Sequence, residues 1–151
     1  MKWAAVTLLV MGLSGCGSAV NSEYNSANLG DQTPQQQWAN LSPQNYVYTA
    51  QRSCFCTSEY TRQIRVVVSK GSVVSATYLD SGTMVSAQVL KSLRTVDQWF
   101  AYIRKGQEKP FHQLEVSYDP KLGYPTRIYG DINARIADDE QTVTLSDLAI
   151  Q

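Results

Sequence analysis

Apolar residues recur along most of this chain with two spacings, the period of about 3.6 residues of a helix and the two-residue period of a strand. A short helix is predicted to follow Thr33, because Thr33 can cap it and Pro34 suits the first helical position. Trp38 and Leu41 lie three residues apart on that helix, and we expect both to face the core. Pro43 prevents the helix from continuing further.

Strand patterns follow this helix. Every second residue from Tyr46 to Cys56 would lie on one face of an extended chain, and residues 46–56 are predicted to form a strand. Two β-branched runs, residues 64–68 and 73–79, flank Ser69-Lys70-Gly71-Ser72, which predicts a β-hairpin. The pattern of residues 83–94 is ambiguous, and we expect a loop with some extended structure there.

The clearest helix signal begins at Thr95. Thr95 and Gln98 have the spacing of a capping box, and Gly106 stands where a C-terminal cap belongs. Three further strands are predicted from alternation, around residues 114–118, 127–136 and 143–145. One apolar stripe is predicted to pack this helix on the core, and it consists of Val96, Trp99, Phe100 and Ile103.

The predicted order of elements is helix, three strands, helix, three strands. Short connections between strands favour antiparallel neighbours. We therefore predict an α+β fold, in which an antiparallel sheet of about six strands carries two helices on one face.

The start of the chain has a different pattern, an uncharged apolar run over residues 3–13 that follows Lys2. This run is too short to span a bilayer, which needs about 20 apolar residues, and its length is typical of a signal peptide. The run closes with Leu13-Ser14-Gly15-Cys16, which resembles the processing site of bacterial lipoproteins. The resemblance implies cleavage before Cys16 and a diacylglycerol group on its sulfur.

This resemblance divides the chain and implies its location. We expect a cleaved signal peptide at residues 1–15, a lipidated Cys16 with a flexible polar tether over residues 16–37, and a single domain over residues 38–151. Two or more acyl chains give stable membrane anchoring. We expect the protein in the bacterial cell envelope, and Gly17 favours the outer membrane, facing the periplasm, in a Gram-negative host.

The distribution of charge argues against one class of function, nucleic-acid binding. The chain has 13 basic and 13 acidic side chains, so its formal net charge is zero. No run of basic residues is apparent along the sequence, which leaves nucleic-acid binding without electrostatic support.

Cys54 and Cys56 are the cysteines that remain beside Cys16. An exported protein meets an oxidising compartment, which favours a structural disulfide between them. A redox-active pair is an alternative, because Arg52 shares their predicted face and could lower a thiol pKa. Metal binding is a third possibility, although two thiolates would need further ligands.

No combination of nucleophile, base and orienting group is apparent, so we do not expect an enzyme, and we expect no cofactor. The acidic residues Asp131, Asp138, Asp139 and Glu140 suggest calcium, but their spacing matches no EF-hand loop, and no metal site is predicted. Leu122-Gly123-Tyr124-Pro125 is either a rigid turn or a displayed tyrosine on a binding edge. The candidate binding surface consists of Arg52, Tyr124 and Asp131.

Taken together, the motifs resemble an uncharacterised family of small bacterial secreted and lipoprotein domains, over about residues 38–148. The resemblance implies no activity and no ligand, and it makes the cysteine pair a framework feature. The leading hypothesis is a lipid-anchored, non-catalytic module that binds an envelope protein or small ligand; the alternative is a thiol-disulfide redox protein. The motifs that carry the resemblance include Tyr46-x-Tyr48, Arg52-x-Cys54-x-Cys56 and Leu122-Gly123-Tyr124-Pro125.

Overall fold

The computed structural model of the chain describes residues 32–109, 111–136 and 138–151. The predicted signal peptide, Cys16 and most of the predicted tether lie outside the described residues. Within those three ranges, no helix has the length and apolar content needed to cross a membrane.

Ten helices and strands make up the described part of the chain. The helices are α1 (Pro34–Leu41), α2 (Ser58–Thr61), α3 (Ala87–Ser92) and α4 (Val96–Glu108). The strands are β1 (Tyr46–Ser53), β2 (Ile64–Ser69), β3 (Ser72–Tyr78), β4 (Gln113–Tyr118), β5 (Pro125–Asp131) and β6 (Gln141–Ile150).

All six strands belong to one open sheet, in the order β3-β2-β1-β6-β5-β4. Every neighbouring pair is antiparallel, so the predicted α+β class with a six-stranded antiparallel sheet is confirmed. The first three strands and the last three each form a meander. The two meanders join where β1 pairs with β6, for example at Ala50 opposite Leu145.

One face of the sheet carries the hydrophobic core. Tyr46, Tyr48 and Ala50 alternate along β1 and are buried beneath the helices. The indole of Trp38 in α1 meets the Tyr46 ring edge to face, with ring centroids 5.3 Å apart. The predicted stripe of α4 is confirmed, because all four of its residues are buried in the same core.

Both predicted helix starts are confirmed by their caps. The Thr33 hydroxyl accepts a hydrogen bond from the Gln36 N–H at 3.3 Å, and the Thr95 hydroxyl accepts one from the Gln98 N–H at 3.2 Å. In both cases the glutamine side chain in turn accepts a hydrogen bond from the backbone N–H of the capping threonine. Helix α1 therefore includes residues 34–37, which composition assigned to the tether.

The expectation of a loop at residues 83–94 is wrong, because this segment contains α3. The Ser86 hydroxyl caps α3 by accepting from the Val89 N–H at 3.3 Å, and Val89 is buried in the core. A helix of six residues is too short to show a repeated apolar stripe, and tertiary packing stabilises it instead. With α2, it raises the number of described helices to four.

Three strand and helix details also differ from expectation. Leu41 is 48% exposed, because α1 ends there and only Trp38 of that helix is buried. Strand β1 ends at Ser53, before the cysteines, and β5 ends at Asp131, which leaves Ile132 and Ile136 exposed beyond it. In both strands the two-residue pattern continues past the last residue that the sheet pairs.

The turn before β5 is held tightly under α1. Asp119 Oδ1 accepts hydrogen bonds from the N–H groups of Lys121 and Leu122, at 2.9 and 2.7 Å. Gly123 follows with φ +76°, and a Cβ atom there would lie 2.8 Å from Gln37 Cβ and closer still to the Pro34 carbonyl oxygen. This glycine is therefore required both by conformation and by space.

Replacing Gly123 with alanine is expected to lower the free energy of unfolding by about 3 kcal/mol or more, because α1 must shift away. Gly82→Ala is the matched control, since Gly82 has φ +67° but open space around its Cα. That control should cost only the left-handed strain of about 1–2 kcal/mol. Urea denaturation of both variants measures the difference, and equal losses would contradict the steric account.

Candidate functional site

The candidate site lies at the end of β1, where the core gives way to solvent. Arg52 follows Tyr46, Tyr48 and Ala50 at the two-residue spacing of a strand. Its side chain therefore lies on the same face of the sheet, the one that carries the helices. Its side chain is half-buried, and Ser53 ends the strand immediately after it. A cation is therefore held at the border of the apolar core.

The short helix α3, the start of α4 and the start of β6 surround Arg52. Together they form a cleft of about 500 Å³, which we call the Arg52 cleft. Lys91 comes from α3, and Arg94 comes from the connection between α3 and α4. The residues that line it include Arg52, Lys91, Leu93, Arg94, Gln98 and Gln141.

Two tyrosines of β1 fix the connection that carries Arg94. The Tyr48 hydroxyl donates a hydrogen bond to the Arg94 carbonyl oxygen. The Tyr46 hydroxyl accepts one from the Val96 N–H at 2.8 Å, which satisfies a free donor at the start of α4. The backbone on both sides of residue 95 is therefore bound to the sheet.

The guanidinium of Arg94 rests on aromatic rings. Its Cζ lies 4.8 Å from the ring centroid of Trp99 and 5.2 Å from that of Tyr102. Such cation–π contacts orient an arginine without neutralising its charge. The aromatic residues of α4 thus position Arg94 at the cleft and leave its N–H groups available.

The positive charges of the cleft are not paired with acids. Among the described residues the ion pairs are Arg62–Asp80 and Arg127–Glu115, so neither arginine of the cleft nor Lys91 takes part in one. Burial lowers the pKa of Arg52, and the charge of Arg94 lowers it further. Both effects show that the folded chain places like charges together in partly dry surroundings.

An apolar crevice of about 20 Å³ lies beneath the cleft, between Ala50, Leu93 and Trp99. The buried Trp99 Nε1 has no hydrogen-bond partner among the described residues. The Tyr48 hydroxyl lies beside it and donates to the Arg94 carbonyl, which leaves the hydroxyl oxygen able to accept from Trp99.

The cysteine pair directly follows β1. Cys54 and Cys56 are at disulfide distance, with Cα atoms 5.3 Å apart, and the Cys56 N–H donates to the Cys54 carbonyl at 2.9 Å. Phe55 between them is 84% exposed. The loop borders a second cavity of about 310 Å³, whose other wall includes Glu140.

The three residues of the predicted binding surface do not come together. Arg52 lines the cleft, but Tyr124 is only 6% exposed and packs edge-on against Trp38 at 6.5 Å, because α1 covers it. Asp131 is three residues after the core residue Ile128 on β5, so alternation puts it on the opposite face of the sheet. A displayed tyrosine is therefore not what the turn provides.

Asp131, the last residue of β5, and Asp139 form an acidic pair. Buried carboxylate oxygens of Asp131 and Asp139 have no hydrogen-bond partner of good geometry within the described ranges. Desolvation raises the pKa of Asp139, and the nearby charge of Asp131 raises it further. No group of three or more potential metal ligands converges among the residues that the structure describes.

These features define a small α+β domain with one antiparallel sheet and a cationic cleft at the end of its central strand. The chain belongs to DUF6174, a family of unknown function, whose match covers residues 31–150. No curated protein and no solved structure matches the chain.

Most of the cleft was not apparent from the sequence. Arg52 was singled out, but Lys91 and Arg94 lie in the segment expected to be a loop, and Gln141 is far away in the chain. The signal that was available is Ser86, a good N-cap residue, followed by Val89, Leu90 and Leu93 at helix-compatible spacing.

The tyrosines beneath the cleft predict an alkaline loss of stability. Burial raises the pKa of Tyr46 from 10.0 to about 12, so the folded state holds this proton more tightly than the unfolded state. The corresponding stability is complete below pH 10 and is lost as the pH rises towards 12. Urea midpoints measured across this range should fall.

Tyr46→Phe is expected to remove part of that alkaline slope. At neutral pH it should also cost about 1–2 kcal/mol, because the Val96 N–H loses its acceptor. An unchanged slope in the variant would contradict the assignment.

Proposed function

We propose that this chain is a lipid-anchored protein of the bacterial cell envelope, and that its folded domain is a non-catalytic binding module that uses the Arg52 cleft. The observation that carries the proposal is the cleft itself. Its volume of about 500 Å³ lies within the usual range for small-ligand sites. Charged groups converge in it beside the apolar side chains of Leu93 and Ala101, as in sites that orient a ligand.

The chemistry of the lining supports binding rather than catalysis. Acid–base catalysis uses a group that can exchange a proton near neutral pH, such as a histidine or a shifted carboxyl group. The described lining consists of arginine, lysine, glutamine, serine, leucine and alanine. The hydroxyl of Ser92 already donates to the Val89 carbonyl at 2.7 Å, and no base adjoins it in that lining.

The anchor is supported by the start of the sequence. Cleavage before Cys16 and lipid on its sulfur would tie the domain to a membrane through the polar segment before α1. Mass spectrometry of the protein isolated from its native membranes tests this. The expected mass is that of residues 16–151 with at least a diacylglycerol group, whereas an intact start at Met1 would contradict the proposal.

Binding in the cleft can be tested without knowing the ligand. The full chain is screened by thermal shift against a panel of anionic, neutral and cationic small molecules, since a ligand of the folded state raises the melting temperature. Ala101 is exposed and lines the cleft, so Ala101→Trp should fill the cleft and abolish the shifts. Ala39→Trp, at an exposed position of α1, is the control.

The screen has two results that would reject the binding proposal. One is that no compound of any class shifts the melting temperature. The other is that Ala101→Trp preserves every shift, which would locate binding elsewhere.

A thiol-disulfide redox protein is the second candidate. It is supported by the position of Cys54 and Cys56 at disulfide distance, on an exposed loop at the end of β1. Titration of free thiols in the exported protein separates the two candidates. A structural pair predicts no free thiol and no reduction by millimolar glutathione, whereas ready and reversible reduction would favour the redox candidate.

A further inference from the structure

Building on the proposed function, we infer that the Arg52 cleft binds a small oxyanionic ligand, one that carries its negative charge on carboxylate or phosphate groups. The cleft collects Arg52, Lys91 and Arg94 from a strand, a helix and a connection. No acidic side chain lines it among the described residues.

This concentration of charge is local. The chain has equal numbers of basic and acidic side chains, whereas all three charged residues in the described lining of the cleft are basic. Asp97, the nearest acid in sequence to Arg94, forms no ion pair with the three cations, and its charge acts on the Tyr46 hydroxyl. The cleft therefore keeps a positive field inside a neutral protein.

Holding the charge of Arg52 beside Arg94 is unfavourable for the folded chain by itself. Like charges repel, and partial burial of Arg52 removes water that would stabilise its charge. Charged groups that destabilise the folded state in this way are typical of sites that bind a ligand of opposite charge. An oxyanion would supply the missing partner, and arginine guanidinium groups match carboxylate and phosphate geometry through paired N–H donors.

The neutral polar groups of the cleft fit the same ligand. Gln98 Oε1 accepts the Thr95 N–H at 2.9 Å, so the side-chain group that remains for a ligand is the amide nitrogen, a donor. Gln98 also stands in the first turn of α4, a helix of 13 residues whose N-terminal end contributes partial positive charge. Donors thus accompany the cations.

Size limits the ligand. A cleft of about 500 Å³ accommodates a molecule of the size of a tricarboxylate or a sugar phosphate. Free metabolites and the headgroup of an anionic lipid share this chemistry, and soluble probes can distinguish them. The probes are citrate, inorganic phosphate and glycerophosphoglycerol, which is the soluble headgroup of phosphatidylglycerol.

The test is isothermal titration of the full chain with each probe, with sorbitol and putrescine as the neutral and cationic comparisons. Lys91→Glu should weaken binding of the preferred anion by about tenfold or more, because it replaces an attraction with a repulsion. Lys91 is exposed, so this change should leave the melting temperature nearly unchanged. Lys105→Glu, in the last turn of α4 and outside the cleft lining, is the charge-matched control and should change affinity less than twofold.

Each outcome decides the inference. Tighter binding of citrate or phosphate indicates a free metabolite, and tighter binding of glycerophosphoglycerol indicates a lipid headgroup; both support an oxyanion site if only Lys91→Glu weakens them. Equal weakening by both variants would show a general charge effect and overturn the inference, as would binding of none of the three anions. If sorbitol or another neutral compound binds, Ala101→Trp abolishes that binding, and no anion binds, the oxyanion inference is rejected but the proposed binding function stands. No binding of any class would reject both.

Discussion

The attachment of the α3–α4 connection to β1 determines where the cleft forms. The Tyr48 hydroxyl binds the carbonyl of Arg94, and the Tyr46 hydroxyl binds the N–H of Val96. These bonds join a residue of the cleft and the start of a long helix to the most buried strand of the sheet. Arg52, on the same face of that strand, therefore meets Arg94 at a fixed position.

The same arrangement explains why the cleft is charged although the chain is neutral. Each cation belongs to a different segment, and folding brings them together on one rigid frame. The cation–π contacts of Arg94 hold its guanidinium in place without supplying a counter-charge. Positive charge is thus concentrated at the edge of the core, where a ligand would meet lower dielectric and stronger electrostatic attraction than in bulk water.

Local signals predicted much of the fold. The capping boxes at Thr33 and Thr95 and the hairpin at Lys70 and Gly71 depend on a few neighbouring residues, and all are present. Four of the six strands followed from two-residue alternation, and the two strands of the hairpin followed from β-branched runs. These features succeeded because their causes lie within a short stretch of chain.

Features that depend on distant contacts could not be predicted in this way. Pairing of β1 with β6 joins residues about 90 to 100 positions apart, and nothing local specifies it. Helix α3 depends on burial of Val89 rather than on a repeated stripe. The cleft could not be predicted either, because it depends on both of these features: Lys91 and Arg94 flank the end of α3, and Gln141 begins β6. The burial of Tyr124 could not be predicted either, because its turn motif gives no indication that α1 covers it.

If the cleft is built to bind a ligand, the charge of Arg52 does not stabilise the fold. The most direct measurement is the free energy of unfolding of Arg52→Gln in the absence of any added anion, compared with the unchanged chain by urea denaturation. We expect the same or a greater stability, because a partly desolvated charge beside Arg94 is removed. A loss of more than about 1 kcal/mol would show that the guanidinium supports the folded structure, and it would contradict the account.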